Sequence, residues 1–581
     1  MANHDEKPPA VSEPAKGGDG SSKSSHGPQK KNGFAGRQRG NGKVDQGRAA
    51  WNRESGQKRH RDDPWRKDKR AKLNEDGEAR ATDKANPFSK EEIEAEARRP
   101  KKKVAVLIGY SGTGYKGMQV NGDEPTIERD LFRAFVEAGA ISKANADDPR
   151  KSTLVRCART DKGVHAAGNV ISLKLIVEDE DIVERINKAL PDQIRIWGIQ
   201  RTMNSFSCYQ MCDSRWYEYL MPAYSLLPPH PESFLGKKIP ELAKQYGGEE
   251  ELAARMEDVK DFWSDLHKNE VEPILATLDP QVRAEVLERL HAGEDVKEHE
   301  IEKPVKNDDG TATADAEESK ESTEENKEEE KPKPKKRAPT AVDFALRDIK
   351  AKYVEAKRNY RISESRLKRL QEALSLYEGS HIFHNYTVQK SPTDPSARRH
   401  IKSFVVNPEP IVIGNTQWLS LKVHGQSFMM HQIRKMVGLA ALLVRCGSSL
   451  ERIPQSYTKI RMAIPKAPGL GLLLERPVFE MYNRKADGHG RSPIDFAEHE
   501  EKMQAFKDKH IYQRIFEVEE EENYFYSFFN QIDQFKMNHF LWVTAGGIEV
   551  SQLTQGDAGA AAKVDKELGS DDEEDPEGGE G

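Results

Sequence analysis

The chain has 581 residues, of which 36% are hydrophobic and 32% charged, with a formal net charge of −6 and a mean hydropathy of −0.83. That length predicts two or three domains, and the apolar deficit predicts that part of the chain stays unfolded. Four cysteines in so long a chain exclude a disulfide framework, and no leader pattern or run of ~18 apolar residues is present, so a soluble protein of a reducing compartment, without a membrane partner, is expected.

Residues 1–100 are rich in Gly, Ser, Lys and Arg and poor in apolar residues, and read as a disordered basic arm. Between 28 and 72 there are 15 Lys/Arg against 5 Asp/Glu. Lys58-Arg-His-Arg61 and Arg66-Lys-Asp-Lys-Arg-Ala-Lys72 are spaced like a two-part import signal, which predicts a nuclear protein and the import machinery as a partner. The same charges suit phosphate contacts.

From 101 the pattern becomes regular. A strand is predicted over 104–109, a helix over 127–138, strands over 152–157 and 170–177, a helix over 181–190, and strands over 194–200 and 216–221. Strand–helix–strand–strand–helix–strand is the ferredoxin-like order, shared with RNA-recognition domains. Residues 101–223 are therefore read as a first lobe, and 224–340 as an insertion, helical and then charged and disordered. A second lobe, 341–485, holds a helix over 366–376, strands over 402–406 and 418–423, an apolar helix over 430–446, and a strand over 472–479 that closes the sheet. A helical, aromatic-rich extension occupies 486–545, and 546–581 form a disordered acidic tail, with 10 acids against 2 bases after 556. The expected fold class is α+β, two ferredoxin-like lobes around a central basic cleft, the usual place for a site.

Between the strands that flank it, Arg159-Thr-Asp-Lys-Gly-Val-His-Ala166 gathers Arg, Asp, Lys and His within seven residues. An Asp-x-Gly turn usually serves only its own backbone. Charged groups this dense on a strand scaffold point instead to a site. The string resembles R-T-D-x-G-V-H-A, the signature of the TruA family of tRNA pseudouridine synthases, and the resemblance extends over most of 103–480. Tyr110-Ser-Gly-Thr-Gly-Tyr-Lys-Gly-Met-Gln119 resembles the family's first motif, and Arg215-Trp-Tyr-Glu-Tyr219 its R-x-Y-x-Y. Gly425-Gln-Ser-Phe-Met-Met-His-Gln-Ile-Arg-Lys-Met-Val-Gly438 resembles G-x-S-F-x-x-H-Q-I-R-x-M-V-G, and Ala467-Pro-Gly-Leu-Gly-Leu-Leu-Leu474 resembles A-P-x-x-G-L-x-L. The wording is closest to eukaryotic members. One departure is Ser207 after Phe206, where relatives commonly carry a basic residue, which leaves one RNA-backbone contact unsupplied.

The resemblance implies Asp161 as the catalytic residue, Arg434 as its ion-pair partner, Tyr217 stacked on the target uridine and Leu472 as the apolar pocket wall. Arg159, beside the Asp, suits the filling of the gap left by a flipped base, since guanidinium planes stack well. His165 either contacts phosphate or braces the loop. Lys116, Lys162 and Arg215 are expected RNA contacts. On spacing alone, Arg434 could also be a helix-surface charge.

The implied reaction breaks the bond between base and sugar, turns the base and rejoins it through C5. It needs an ionised carboxylate, which attacks C1′ or takes a proton from C2′, and an Arg partner keeps that carboxylate ionised. No cofactor is required for this chemistry, and Gly109–Gly117 lacks the phosphate-loop pattern G-x-x-x-x-G-K-[ST]. Zinc enters only because some relatives are described as containing it; Cys208 and Cys212 lack a closed ligand set. The implied partners are tRNA, modified in and near the anticodon stem, with small nuclear RNA and messenger RNA beside it, and the expected working form is a monomer. Two alternatives stand beside this reading: a family member aimed at other anticodon-arm uridines, and a non-catalytic tRNA-binding or tRNA-folding protein.

Overall fold

Apolar runs flanked by turn residues become strands, and the strands join in one place. The structure, a computed structural model, describes residues 86–292, 340–388 and 390–551. A short helix, α1 (Lys90–Glu94), carries a reciprocal cap between Ser89 and Glu92. Asn86 and Glu96 both bond the backbone of Lys143, and Arg99 donates to Asp179 at 2.9 Å. Residues 86–100 are thus tied to the body, a correction to the expected arm. The basic clusters at 58–72, and the nuclear signal read from them, lie outside the described residues, as do 303–337 and the acidic tail from 552 onward.

β1 (Lys102–Tyr110) is buried on both faces, as its unbroken Val104–Gly109 run requires of a central strand. α2 (Ile127–Glu137) follows and buries Ile127, Leu131, Ala134 and Phe135, one stripe at helical spacing. Then come β2 (Val155–Arg156), β3 (His165–Leu175), α3 (Ile182–Ala189), β4 (Ile194–Arg201) and β5 (Ser214–Pro222). The strand expected over 152–157 shrinks to two residues, because 149–152 coil into a 3₁₀ turn with Asp148 capping it. β3 starts earlier than expected and takes in His165.

Later in the chain are β6 (Gly379–Ile382), β7 (Arg398–Val406), β8 (Ile411–Ile413), β9 (Thr416–Gly425) and β10 (Leu472–Val478). The described strands form one sheet in the order β4-β1-β3-β10-β5-β9-β7-β6, with β2 on β3 and β8 on β9. The strand expected to close the sheet of the second lobe thus joins the two halves. β10 lies in the middle, parallel to β3 at His165 and antiparallel to β5 along Tyr217 and Tyr219, so the motif segments of both halves share one frame.

Among later helices, α4 (Phe234–Tyr246) contributes Leu235, Ile239 and Leu242 to the main core. α5 (Pro280–Ala292) and α6 (Ala341–Asn359) share a second core that includes Val286, Val342, Leu346 and Ile349. Residues 341–359, expected within the second lobe, thus pack with the insertion. α7 (Glu364–Ser375) anchors that insertion through buried Arg366, which bonds Asp258 at 2.9 and 3.0 Å and the carbonyls of Leu226 and Val444. α8 (Gln432–Arg445) is buried along its whole length. The C-terminal extension, with α9 (Glu500–Phe506), α10 (Gln513–Glu522) and α11 (Tyr524–Gln534), lies on the sheet: Phe506 meets Trp197 edge-on and Phe516 packs on Trp418. No helix among the described residues is long and apolar enough to cross a membrane.

Candidate active site

Asp161 sits in the loop joining β2 to β3, and that loop is held mainly by backbone groups. Met118 N–H donates to the Thr160 carbonyl at 3.1 Å, Gly163 N–H to Tyr115 at 3.3 Å, and Val164 N–H to Asp161 itself at 3.2 Å. Tyr110 and Thr160 join their hydroxyls at 2.8 Å. Asn169, on β3, accepts from Val170 N–H at 2.8 Å and donates to the Ala158 carbonyl at 3.0 Å. The glycine-rich first motif is therefore a brace for this loop. At Gly112 a Cβ would lie 2.2 Å from the Val164 carbonyl oxygen, so only glycine allows the two loops to meet.

The opposite wall begins at the N-terminus of α8. His431, its N-cap, has φ of 63°, a left-handed conformation that is uncommon outside glycine. Its Nε2 lies 4.0 Å from Asp161 Oδ2, and the Asp161 side chain is 33% exposed. The open end of a 14-residue helix presents partial positive charge there, which favours a carboxylate. One turn along, Arg434 is buried, donating through Nε to the Ala467 carbonyl at 2.7 Å. That burial settles its alternative as a helix-surface charge. A Cβ at Gly469 would lie 3.3 Å from the guanidinium carbon, so glycine lets the cation rest against the chain. Tyr219 O–H donates to Pro468 at 2.7 Å, which pins 467–469 from the other side and delivers Leu472 to the start of β10.

Tyr217 lies between these walls on β5, paired with Leu474 and Val423 and edge-on to Phe428 at 5.3 Å. Burial raises its phenol pKa, and Asp161 is among the nearby negative charges that add to the shift. Asp161, Tyr217, Leu472, Arg434 and His431 thus share one neighbourhood. Arg159 and Lys162, in the Asp161 loop, and Lys116, in the first motif, are exposed.

Two expectations change. Arg215, expected on RNA, is 5% exposed and donates to the Cys157 carbonyl at 2.8 Å, so it supports the strand that leads into the loop. His165 is completely buried and accepts from Gly112 N–H at 3.2 Å, while burial holds its pKa down at about 4. That is the geometry of a neutral loop brace, with no surface for a phosphate. Among the described residues no group of three or more His, Cys, Asp or Glu is placed to hold a metal. Cys208 and Cys212 instead donate to the carbonyls of Val155 and Ser214, so the residues present do not fit zinc. Sequence reasoning passed over His431, Tyr110 and Asn169. His431 and Tyr110 lie inside quoted motifs and Asn169 three residues beyond one, which was the signal available.

The family model described as tRNA pseudouridine synthase matches residues 373–480. The chain is 44% identical over 442 residues to tRNA pseudouridine synthase 1 of Yarrowia lipolytica, covering 76% of each protein. It is 44% identical over 491 residues to tRNA pseudouridine synthase 1 of Schizosaccharomyces pombe, covering 82% of this chain and 91% of that one. Against the mouse pseudouridylate synthase 1 homolog the identity is 32% over 436 residues, 74% of each. With such relatives matched over most of its length, this chain belongs to the tRNA pseudouridine synthase family of isomerases.

Proposed function

We propose that the protein isomerises uridine to pseudouridine in tRNA, in and near the anticodon stem, with small nuclear RNA and messenger RNA as further substrates, and that it works as a monomer in the nucleus. The observation that carries the reading is one partly exposed carboxylate, Asp161, 4.0 Å from His431 at the open end of a buried helix and in the electrostatic neighbourhood of Tyr217. The reaction breaks N1–C1′, forms C5–C1′ and moves the C5 proton to N1, so it consumes no redox partner and no group donor.

Asp161 acts on the sugar, by attack at C1′ or by taking the C2′ proton, and either route needs it ionised. Arg434 pairs with it and the end of α8 supports the charge, both lowering its pKa. Tyr217 stacks on the extruded base, Leu472 closes the pocket, and Arg159 takes the place vacated in the stem. Lys116 and Lys162 hold phosphates at the rim. The run β1-α2-β2-β3-α3-β4, with β2 and β1 flanking β3 and β4 beside β1, supports a ferredoxin-like first lobe. β6 to β9 with α7 and α8 supply the second, and the basic cleft lies between.

Asp161→Asn tests the reading, since it removes the charge at almost constant shape. The expected result is pseudouridine formation below about 1% of wild type with tRNA affinity kept. A faster variant overturns the single-carboxylate mechanism. Transcripts carrying single U-to-C changes test the position: product should vanish only for changes in the anticodon arm.

A further inference from the structure

The face of β5 turned away from Tyr217 is only partly covered. Glu218 and Ser420 lie beneath Tyr512, and Trp418 beneath Phe516. Beyond that cover the sheet lies open, and what it exposes is basic. On β9, Lys422 is exposed beside Val405, which is 42% exposed. His424 lies flat against Trp216, ring centroids 4.2 Å apart, and both are half-buried. His424 and Lys402 both reach the Ser214 hydroxyl, at 2.8 and 3.3 Å. Arg476 pairs with Trp216 from the other side and is exposed. Strand alternation sets Arg398 and His400 opposite the buried Ile401, hence on this same face, and His400 bonds Ser380 on β6.

These residues make a row across five strands, ~19 Å from β6 to β10 at the usual strand spacing. Among the described residues, Arg398, Lys402, Lys422 and Arg476 have no carboxylate within ion-pair distance; nearby Asp213 accepts from the Met481 N–H. The crowding of charge shows in His424, whose pKa is pushed down to about 4 by burial first and then by Lys402 and Arg476. Uncompensated cations around an aromatic stack are what a single RNA strand binds: phosphates meet the cations and bases meet the rings. The row also runs out to β6, the last strand in the order among the described residues.

We propose that this row is a second RNA-binding surface, one that takes the backbone of the tRNA outside the stem-loop being modified. The inference rests on tRNA as substrate. The complementary alternative, an acidic segment of this chain such as 557–581, is an outcome of the test.

The test compares the full chain with its Lys402→Gln/Arg476→Gln double variant, both positions being exposed and outside the catalytic machinery. Affinity is measured across salt concentrations for a full-length tRNA transcript and for an isolated anticodon-arm hairpin, with pseudouridine formation followed in both. For the full-length tRNA the slope of log affinity against log salt should become shallower by about 1.4–1.8, that is 0.7–0.9 for each of two lost phosphate contacts. Hairpin affinity and kcat at saturating RNA should not change. An unchanged slope with the full-length tRNA overturns the proposal, and so does an equal loss with the hairpin, which would assign both cations to the catalytic cleft. Tighter tRNA binding by the variant overturns it too, since the surface would then belong to the chain's own acids. A wild-type chain that forms no pseudouridine in the transcript defeats the proposed function instead, whatever the slopes.

Discussion

The two faces of strand β5 are built from alternating residues and held by different chemistry. On one face Arg215, Tyr217 and Tyr219 look toward motif segments whose loops are fixed largely through main-chain groups. On the other, Glu218 is buried and accepts from Ser420 and, at 2.5 Å, from Tyr512, 294 residues away, with Lys507 3.6 Å off and bonded to Glu475 at 2.8 Å. The difference follows from what each carboxylate must do. Glu218 holds the extension to the sheet, so its charge is buried and every lone pair must find a donor. Asp161, which is proposed to meet a substrate, is one-third exposed, and its loop is held by backbone hydrogen bonds. A π-helical turn, Lys507–Tyr512, is what brings Lys507 and Tyr512 to one carboxylate.

The largest effect that could break this contrast is Arg434→Met. The change keeps the packing volume but removes the cation proposed to pair with Asp161. An opposite charge favours the ionised form, so its loss raises the carboxylate pKa. Single-turnover rates should fall by ~10²-fold or more at neutral pH, and the acidic limb of the rate–pH curve should move upward. An unmoved limb with an unchanged rate would remove Arg434 from the site. A smaller effect sharpens the contrast from the other side. Tyr512→Phe strips one donor from buried Glu218 and should cost about 1–3 kcal/mol by urea unfolding, with kcat unchanged. A large fall in kcat with little loss of stability would show that the two faces act as one.

What the sequence made legible divides along the same line. The Asp161 loop, the α8 block and the 467–474 segment were readable because each packs its chemistry into fewer than fifteen contiguous residues. The resemblance implied that they meet; the frame that brings them together was not readable, since it depends on β10 lying in the middle of the sheet. Arg215 was misplaced because nothing local marks a strand arginine as inward-facing; only its register opposite Pro477 and Gly425 does. His431 was passed over because a left-handed backbone at a non-glycine residue leaves no trace in composition. The extension's partners were hidden for a simpler reason. Side-chain bonds spanning nearly 300 residues have no periodicity to find.

The smallest predicted effect lies in the C-terminal extension and compares carboxylates directly. Glu519, on α10, is 3% exposed and accepts from Tyr224 O–H and, at 3.0 Å, from Phe525 N–H. Burial raises its pKa to about 7, against the opposing pull of Tyr224 and the backbone donors. A carboxyl whose folded pKa lies above its unfolded value holds its proton more tightly in the native state. Its contribution is therefore complete below about pH 4.5 and is lost as the pH rises to about 7. Glu519→Gln keeps the acceptor and the shape but cannot titrate. Buried His165, held at about 4, titrates with the opposite sign: its contribution is present above about pH 6.5 and is lost as the pH falls. Only the difference between wild type and variant isolates Glu519. That difference, read as urea midpoints at pH 5 and pH 7, should favour the wild type at the lower pH and shrink or reverse at the higher one. Parallel midpoints would mean that Glu519 is ionised in the folded protein, and the contrast with Asp161, whose proposed partners pull its pKa the other way, would lose its sharpest case.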